Sequence, residues 1–382
     1  MSSYELVKED WCNSREFDDL LSDIRKRSPE FGAQHFVSKD IIDRFRSLGI
    51  YRALVPKEFG GDERSPIDFL LAIEAIAEAD GSAGWVASFG CTHTYLAGLP
   101  MDVLADIWKK PDDIFAGAMF PLNPAQFDGA QYSVSGRWKW GSGSMFADRV
   151  GVGIKPEGDG ELPRMAVLNR DQVDVDADSW DVHGMEGSGS FDVVVDSALV
   201  PKEYTFIRGG ELTPTTPFFN YPTISFATQV LAVTTLGVAK AAMRIFLDSA
   251  ASRKSPTGAP SIGDRSYVQI AIAKATAKIQ SSRLFFYDSI EAAWEKLVTG
   301  KTLDADTISM MRLAATNLTR ECAEATRMIY EISGMEAAYL DNHLSRCFRD
   351  AHMPTQHAFM GEITYQNAGA IMFGKDPLPG YL

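Results

Sequence analysis

The segment FRDAHMPTQHAFM, residues 348–360, carries two of the six histidines, His352 and His357, just after an Arg-Asp pair. Imidazole titrates near working pH and also ligates metals, so the pair could serve a metal site or proton handling. Ligands sharing a helix face stand three or four residues apart, as in HExxH. Here the spacing is five, with Pro354 between, and no carboxylate-rich motif accompanies it. Asp350 is explained as the partner of Arg349. The four cysteines, Cys12, Cys91, Cys322 and Cys347, form no CxxC pair, which suits a reducing compartment and argues against a thiolate zinc site. No metal is expected.

Other segments have plainer readings. The glycine-rich GMEGSGS, Gly184 to Ser190, lacks the lysine of a phosphate loop, and strand-like FDVVVD follows it where a helix should. It reads as a tight β-turn. No GxGxxG fingerprint is present, so a nicotinamide bound in the usual way is not expected. Ser88 and Cys91 in GWVASFGCTH lie outside any nucleophile-elbow context and read as small residues of a buried helix. GRWKWGSGSMFAD is different, because it sets Trp138 and Trp140 beside the hydroxyls of Ser142 and Ser144 near a strand end. Large aromatics default to the core, yet a planar ligand stacked on an indole and bonded by a neighbouring hydroxyl needs these same residues.

The elements that must position these groups fall into three blocks. In SKDIIDRFRSLGI, Ser38 is placed to cap a helix with Ile41, Ile42, Phe45 and Leu48 on one face. In SPIDFLLAIEAIAEADG, Ser65 is the expected cap, Pro66 the first helical residue and Gly81 the stop. A helix from about Gly84 to Leu99 is apolar on almost every side, which predicts full burial. QYSVSGRWKW, RMAVLNRDQVDVDA and FDVVVDSALVP are β-branched or alternating between turn residues, which predicts strands. From about Pro217 long alanine-rich helices with short connections imply a bundle, with SPTGAPSIGD its one loop of any length. The expected fold is α+β, mostly α: an N-terminal α-helical domain (1–112), a central strand-rich β domain (113–215) and a C-terminal helical bundle (216–382).

Composition narrows the function. With 382 residues, a net charge of -14 opposes binding to nucleic acid or an anionic membrane, since either would be repelled. The N-terminal MSSYELVKED lacks the basic-then-apolar order of a signal peptide, and no apolar run approaches the roughly 20 residues that span a bilayer. A cytosolic location is expected.

In order and spacing, LVPKEFGG, RWKWGSG, WDVHGMEGSGSFDVVVDSALVP and SRCFRDAH resemble the acyl-CoA dehydrogenase superfamily, from about Asp40 to the C-terminus. The resemblance implies the acyl-CoA dehydrogenase fold, with a barrel-like central β domain and a C-terminal four-helix bundle, and a flavin site. Trp140 would pack on the flavin and Ser142 would bond near its N5. Ala118, Met119 and Phe120 of FAGAMFP would lie near the ring, and Arg253 would reach the cofactor phosphate. It also implies a homotetramer, with Ser333 and Gly334 of ISGMEAAY contacting cofactor across subunits. Many dehydrogenases of the family carry a catalytic glutamate nine residues after the arginine of RDA; here that position is Ala358, which cannot act as a base. FRDAHMPTQH and GSAGWVASFGCTH instead resemble the oxygenase components of two-component flavin-dependent monooxygenases. There, histidines at the positions of His357 and His93 lie beside the flavin C4a region and on the substrate-pocket helix. This implies reduced FMN or FAD from a separate flavin reductase, a C4a-peroxide and hydroxylation of a small aromatic. His357 would keep the peroxide protonated, and His93 would deprotonate or hydrogen-bond the substrate. Three alternatives stay open: an acyl-CoA dehydrogenase or oxidase with another base, an N- or S-oxygenating relative, and a flavin-binding protein without catalysis.

Overall fold

The computed structural model describes residues 14–157, 162–207, 210, 213, 216–252 and 260–382. Six helices come first: α1 (Arg15–Gln34), α2 (Lys39–Ser47), α3 (Pro66–Ala79), α4 (Gly81–Ala87), α5 (His93–Leu96) and α6 (Met101–Ile107). Helix α3 begins as its sequence dictates, with Ser65 Oγ accepting the Asp68 N–H at 3.1 Å and Pro66 in the first turn. Ser38 makes no capping bond to α2. Its hydroxyl donates to Glu30 and accepts from Gln34 Nε2, tying α2 back to α1.

Gly81 starts α4 rather than merely stopping α3. Asp80 ends α3 and caps α4, accepting the Ala83 N–H at 2.8 Å. A Cβ at Gly81 would stand 2.8 Å from Val238 of the bundle, so the glycine allows that close approach. The helix expected over Gly84 to Leu99 is broken into α4, a 3-10 turn (Ser88–Thr92) and α5. Ser88, Thr92 and Thr94 each donate to the carbonyl three residues back, a bond that competes with the α-helical ladder. Gly90 also seats this turn against the Ile50 carbonyl, where a Cβ would come within 2.7 Å.

Seven strands follow: β1 (Phe115–Phe127), β2 (Gln131–Gly141), β3 (Arg149–Pro156), β4 (Arg164–Asn169), β5 (Asp174–Asp176), β6 (Phe191–Pro201) and β7 (Thr205–Phe206). They form one sheet in the order β5-β6-β2-β1-β3-β4-β7. β1 and β3 are parallel and the other pairs antiparallel. Two register breaks matter for function. One lies in β1 between Ala118 and Asn123, the other in β2 between Trp138 and Gly141. A bulge re-aims side chains that a regular strand would alternate between its faces.

The remainder is α7 (Thr223–Ser252), α8 (Ser266–Val298) and α9 (Ala305–Glu331), closed by α10 (His343–His352) and α11 (Ile363–Met372). Thr223–Ala250 is long and apolar enough to cross a membrane, contrary to the sequence reading of no such run. Yet 72% of its apolar window is buried within the fold, which marks a core helix. Glu74 of α3, only 3% exposed, anchors the helical domain to this bundle. It accepts from Lys240 Nζ of α7 at 2.8 Å, and from Arg283 Nε at 3.1 Å and Tyr287 OH at 2.7 Å of α8. Burial alone would raise its pKa, but Lys240 and Arg283 outweigh burial and hold it below the ordinary value.

Candidate active site

The end of β2 and the turn before β6 build the site. Trp138 is fully buried, donating its indole N–H to the Gly153 carbonyl at 2.7 Å. Two residues on, inside the register break, Trp140 is 61% exposed with φ of 64°. Left-handed backbone is uncommon for a large aromatic and is held only where the surroundings enforce it. Phe120, inside the β1 break, is 51% exposed, while Met119 is half-buried and Ala118 buried. Asn123 Nδ2 donates to the Arg137 carbonyl, keeping β1 alongside β2 between these breaks.

Ser142 follows, with its Oγ 2.5 Å from Ser190 Oγ, which in turn lies 2.9 Å from Ser188 Oγ. The Gly143 N–H donates to the Ser188 carbonyl, so the turn and the strand end are locked together. GMEGSGS is a turn as expected, with the Ser188 N–H donating to the Met185 carbonyl. Its two serines were missed as site residues, because nothing local signals a partner 48 positions away. Phe89 and Val86 lie over Gly143, at 3.8 and 4.0 Å from where a Cβ would stand. Trp85 of α4 packs, as Met353 does, against the cluster of Met185, Val238 and Ala351, and its buried indole nitrogen has no protein partner.

Asp350 does not pair with Arg349, which donates to Ser345 Oγ at 2.8 Å. Instead Asp350 accepts the Met185 N–H at 2.6 Å and so supports the serine turn from behind. Burial, then the nearby Asp80 carboxylate, push its pKa up to about 7. Arg346 and Arg349 only partly offset them. Asp80 and Asp350 line a cavity of about 180 Å³ with Ser28, Arg346 and Cys347.

The histidines divide. His93, expected on the pocket lining as a base or substrate partner, is a satisfied core residue at 2% exposure. Its Nδ1 accepts the Trp108 indole N–H at 3.0 Å, so its proton sits on Nε2, which donates to the Tyr51 carbonyl at 3.0 Å. Burial drives its pKa down to about 4. Both nitrogens are spent, and a neutral ring in this place has no proton or lone pair to exchange with substrate. His357 is half-buried, and its Nδ1 accepts the Phe359 N–H at 3.2 Å, which leaves the neutral ring's proton on Nε2. Phe359 and Met360 lie against α9, with the Thr316 hydroxyl and Arg320 donating to their carbonyls. His352 bonds the Phe348 carbonyl through Nδ1 and packs on the Phe348 ring, a structural role. Ser333 is buried and donates to the Ile329 carbonyl; Gly334 is exposed with φ of 76°. Arg253 lies outside the described residues.

Comparison with known proteins gives the family. The model for the acyl-CoA dehydrogenase N-terminal domain matches residues 20–102, and that for the C-terminal domain matches residues 229–362. An indole-3-acetate monooxygenase of Pseudomonas putida is 49% identical over 96% of this chain and 95% of its own. One of Acinetobacter baumannii is 44% identical over 100% of this chain and 99% of its own. The crystal structure of a 3-HSA hydroxylase from Rhodococcus has the same fold, with a TM-score of 0.89 at 24% identity over 98% of this chain and 100% of that one. The chain belongs to the acyl-CoA dehydrogenase superfamily. Within it, the chain is a flavin-dependent monooxygenase of the oxygenase-component type. Its residues fit a flavin: two aromatic side chains stand bare at strand bulges, as a flat ring requires, beside a buried serine hydroxyl.

Proposed function

We propose that this chain is the oxygenase half of a two-component system. It takes reduced FMN or FAD from a separate flavin reductase and hydroxylates a small aromatic, with an indole-bearing acetate the first candidate, after the two relatives above 40% identity. Reduced flavin, when bound, supplies the reaction with oxygen from which one oxygen atom reaches the substrate.

The chain's residues hold and shield that chemistry. Trp140 packs on the ring, with Ala118, Met119 and Phe120 beside it. Ser142 would hydrogen-bond at N5 and hold the proton there, disfavouring release of hydrogen peroxide. His357, whose Nδ1 accepts the Phe359 N–H, would carry its proton on Nε2 and would direct it to the transferred oxygen. Phe89 and Val86 keep the space above Gly143 dry. The unpartnered Trp85 N–H suits an acceptor oxygen on the substrate. His93 acts at a distance, by fixing Trp108 and the Tyr51 carbonyl.

Four chains assemble, and Ser333 and Gly334 of one chain close the flavin site of another. Met335, Tyr339, Leu340, Met372 and Phe373, each more than 60% exposed, supply the apolar surface such an assembly buries. The protein works in the cytosol.

The carrying observation is the buried Ser142 hydroxyl, next but one to the exposed left-handed Trp140. The test mixes the protein anaerobically with reduced FMN or reduced FAD and indole-3-acetate, then admits oxygen and counts hydroxylated product against hydrogen peroxide. Product should dominate in the wild type, and Ser142→Ala should shift most of the flux to peroxide. A protein that purifies yellow, bleaches with an acyl-CoA and makes no hydroxylated product would instead be a dehydrogenase with another base.

A further inference from the structure

The turn from Gly184 to Ser190 contributes no side chain to the function proposed above, yet it supplies two of three hydroxyls in a line. Ser142, Ser190 and Ser188 are 7%, 5% and 2% exposed, and successive oxygens stand 2.5 and 2.9 Å apart. A hydroxyl has one proton to donate and two lone pairs to accept with. In water-poor surroundings a line of three can therefore run in two ways. If Ser142 donates to Ser190 and Ser190 to Ser188, the outward side of Ser142 is a bare lone pair, and it accepts. If Ser188 donates to Ser190 and Ser190 to Ser142, the Ser142 proton is free to point outward, and it donates.

The two runs match the two oxidation states of a flavin. Reduced flavin carries a proton on N5 and needs an acceptor there; oxidised flavin has a bare N5 and needs a donor. We propose that Ser190, backed by Ser188, is a positioning residue that sets the hydroxyl of Ser142 as the acceptor for reduced flavin and reverses it for the oxidised form. The proposal rests on the flavin reading above. Three contacts hold the relay rigid: the Gly143 N–H on the Ser188 carbonyl, the Met185 N–H on Asp350, and the bridge between Ser188 and Phe36. Without Ser190, Ser142 could still donate to oxidised flavin. To accept from reduced flavin, it would have to leave its own proton buried and unmatched, which is the costly case.

The experiment compares dissociation constants for reduced FMN and FAD, measured anaerobically by titration, with those for the oxidised flavins. Wild type, Ser190→Ala, Ser190→Thr and Ser188→Ala are measured, each with its melting temperature. Ser190→Ala should weaken reduced-flavin binding about tenfold, the loss of one buried hydrogen bond, and oxidised-flavin binding by less than about threefold. Ser190→Thr keeps the hydroxyl and should restore the ratio. Ser188→Ala should move it the same way by a smaller factor, and it carries the test if Ser190→Ala does not fold. Equal weakening of both oxidation states, or an unchanged ratio, would overturn the proposal and leave these serines as packing. A wild type that binds reduced flavin with the Ser190-dependent preference but makes no hydroxylated product would sink the oxygenase reading alone. A wild type that binds neither flavin would sink both.

Discussion

His93 is the residue at which chemistry and packing compete most openly. Its ring is held neutral between a donor, Trp108, and an acceptor, the Tyr51 carbonyl, and protonating Nδ1 would break the first of these bonds. The folded pKa of about 4 lies below the ordinary 6.5, so the folded state binds fewer protons than the unfolded chain between those values. The stability this group contributes is present above pH 6.5 and is lost as pH falls toward 4, about 3 kcal/mol over the whole window. His93→Gln does not titrate. At pH 7.5 it should be less stable than wild type by about 1–3 kcal/mol, and the gap should narrow as pH is lowered, read by urea unfolding at each pH. A variant of unchanged stability but altered pH dependence of hydroxylation would return His93 to the role of base. His357 and Ser142, whose roles are those proposed above, each have a specific hydrogen-bonding partner, the Phe359 N–H and Ser190 Oγ, that fixes or biases their protons.

At the scale of elements, two devices set the site. The register breaks in β1 and β2 turn Phe120 and Trp140 outward where unbroken alternation would govern them. The Glu74 cluster then pins α3, and with it the segment leading into α4, against α7 and α8. Removing one partner of a buried ionic cluster leaves the others uncompensated. Lys240 and Arg283 retain 35% and 21% of their side-chain exposure, so water would relieve part of that cost. Glu74→Ala should therefore destabilise by about 3 kcal/mol, at the low end for a broken buried pair, with the denaturant midpoint as the measurement. A loss below about 1 kcal/mol would mean that apolar packing alone joins the helical domain to the bundle.

For the molecule as a whole, the exposed apolar side chains from Met335 to Leu340 and at Met372 and Phe373 are the feature a single chain leaves unexplained. Assembly into four copies predicts a native mass near four times 42.0 kDa by light scattering, and Phe373→Glu should lower it. A monomer that still hydroxylates would remove Ser333 and Gly334 from the cofactor site. Much of this architecture was legible beforehand, because helix and strand periods, caps and turn residues are local. The capped start of α3, the strands around Trp138, and the long bundle helices follow from patterns a few residues wide. Residue types also grouped Trp138, Trp140, Ser142 and Ser144 as candidates for a flat ligand with a polar edge, but only the family resemblance singled out Trp140 and Ser142 among them. Ser190 beside Ser142, Asp350 beneath Met185, and His93 between Tyr51 and Trp108 join positions 48, 165, 42 and 15 residues apart. No local propensity encodes such pairs. Burial, which sets whether a histidine is a base or a core residue, exists only once the elements have packed.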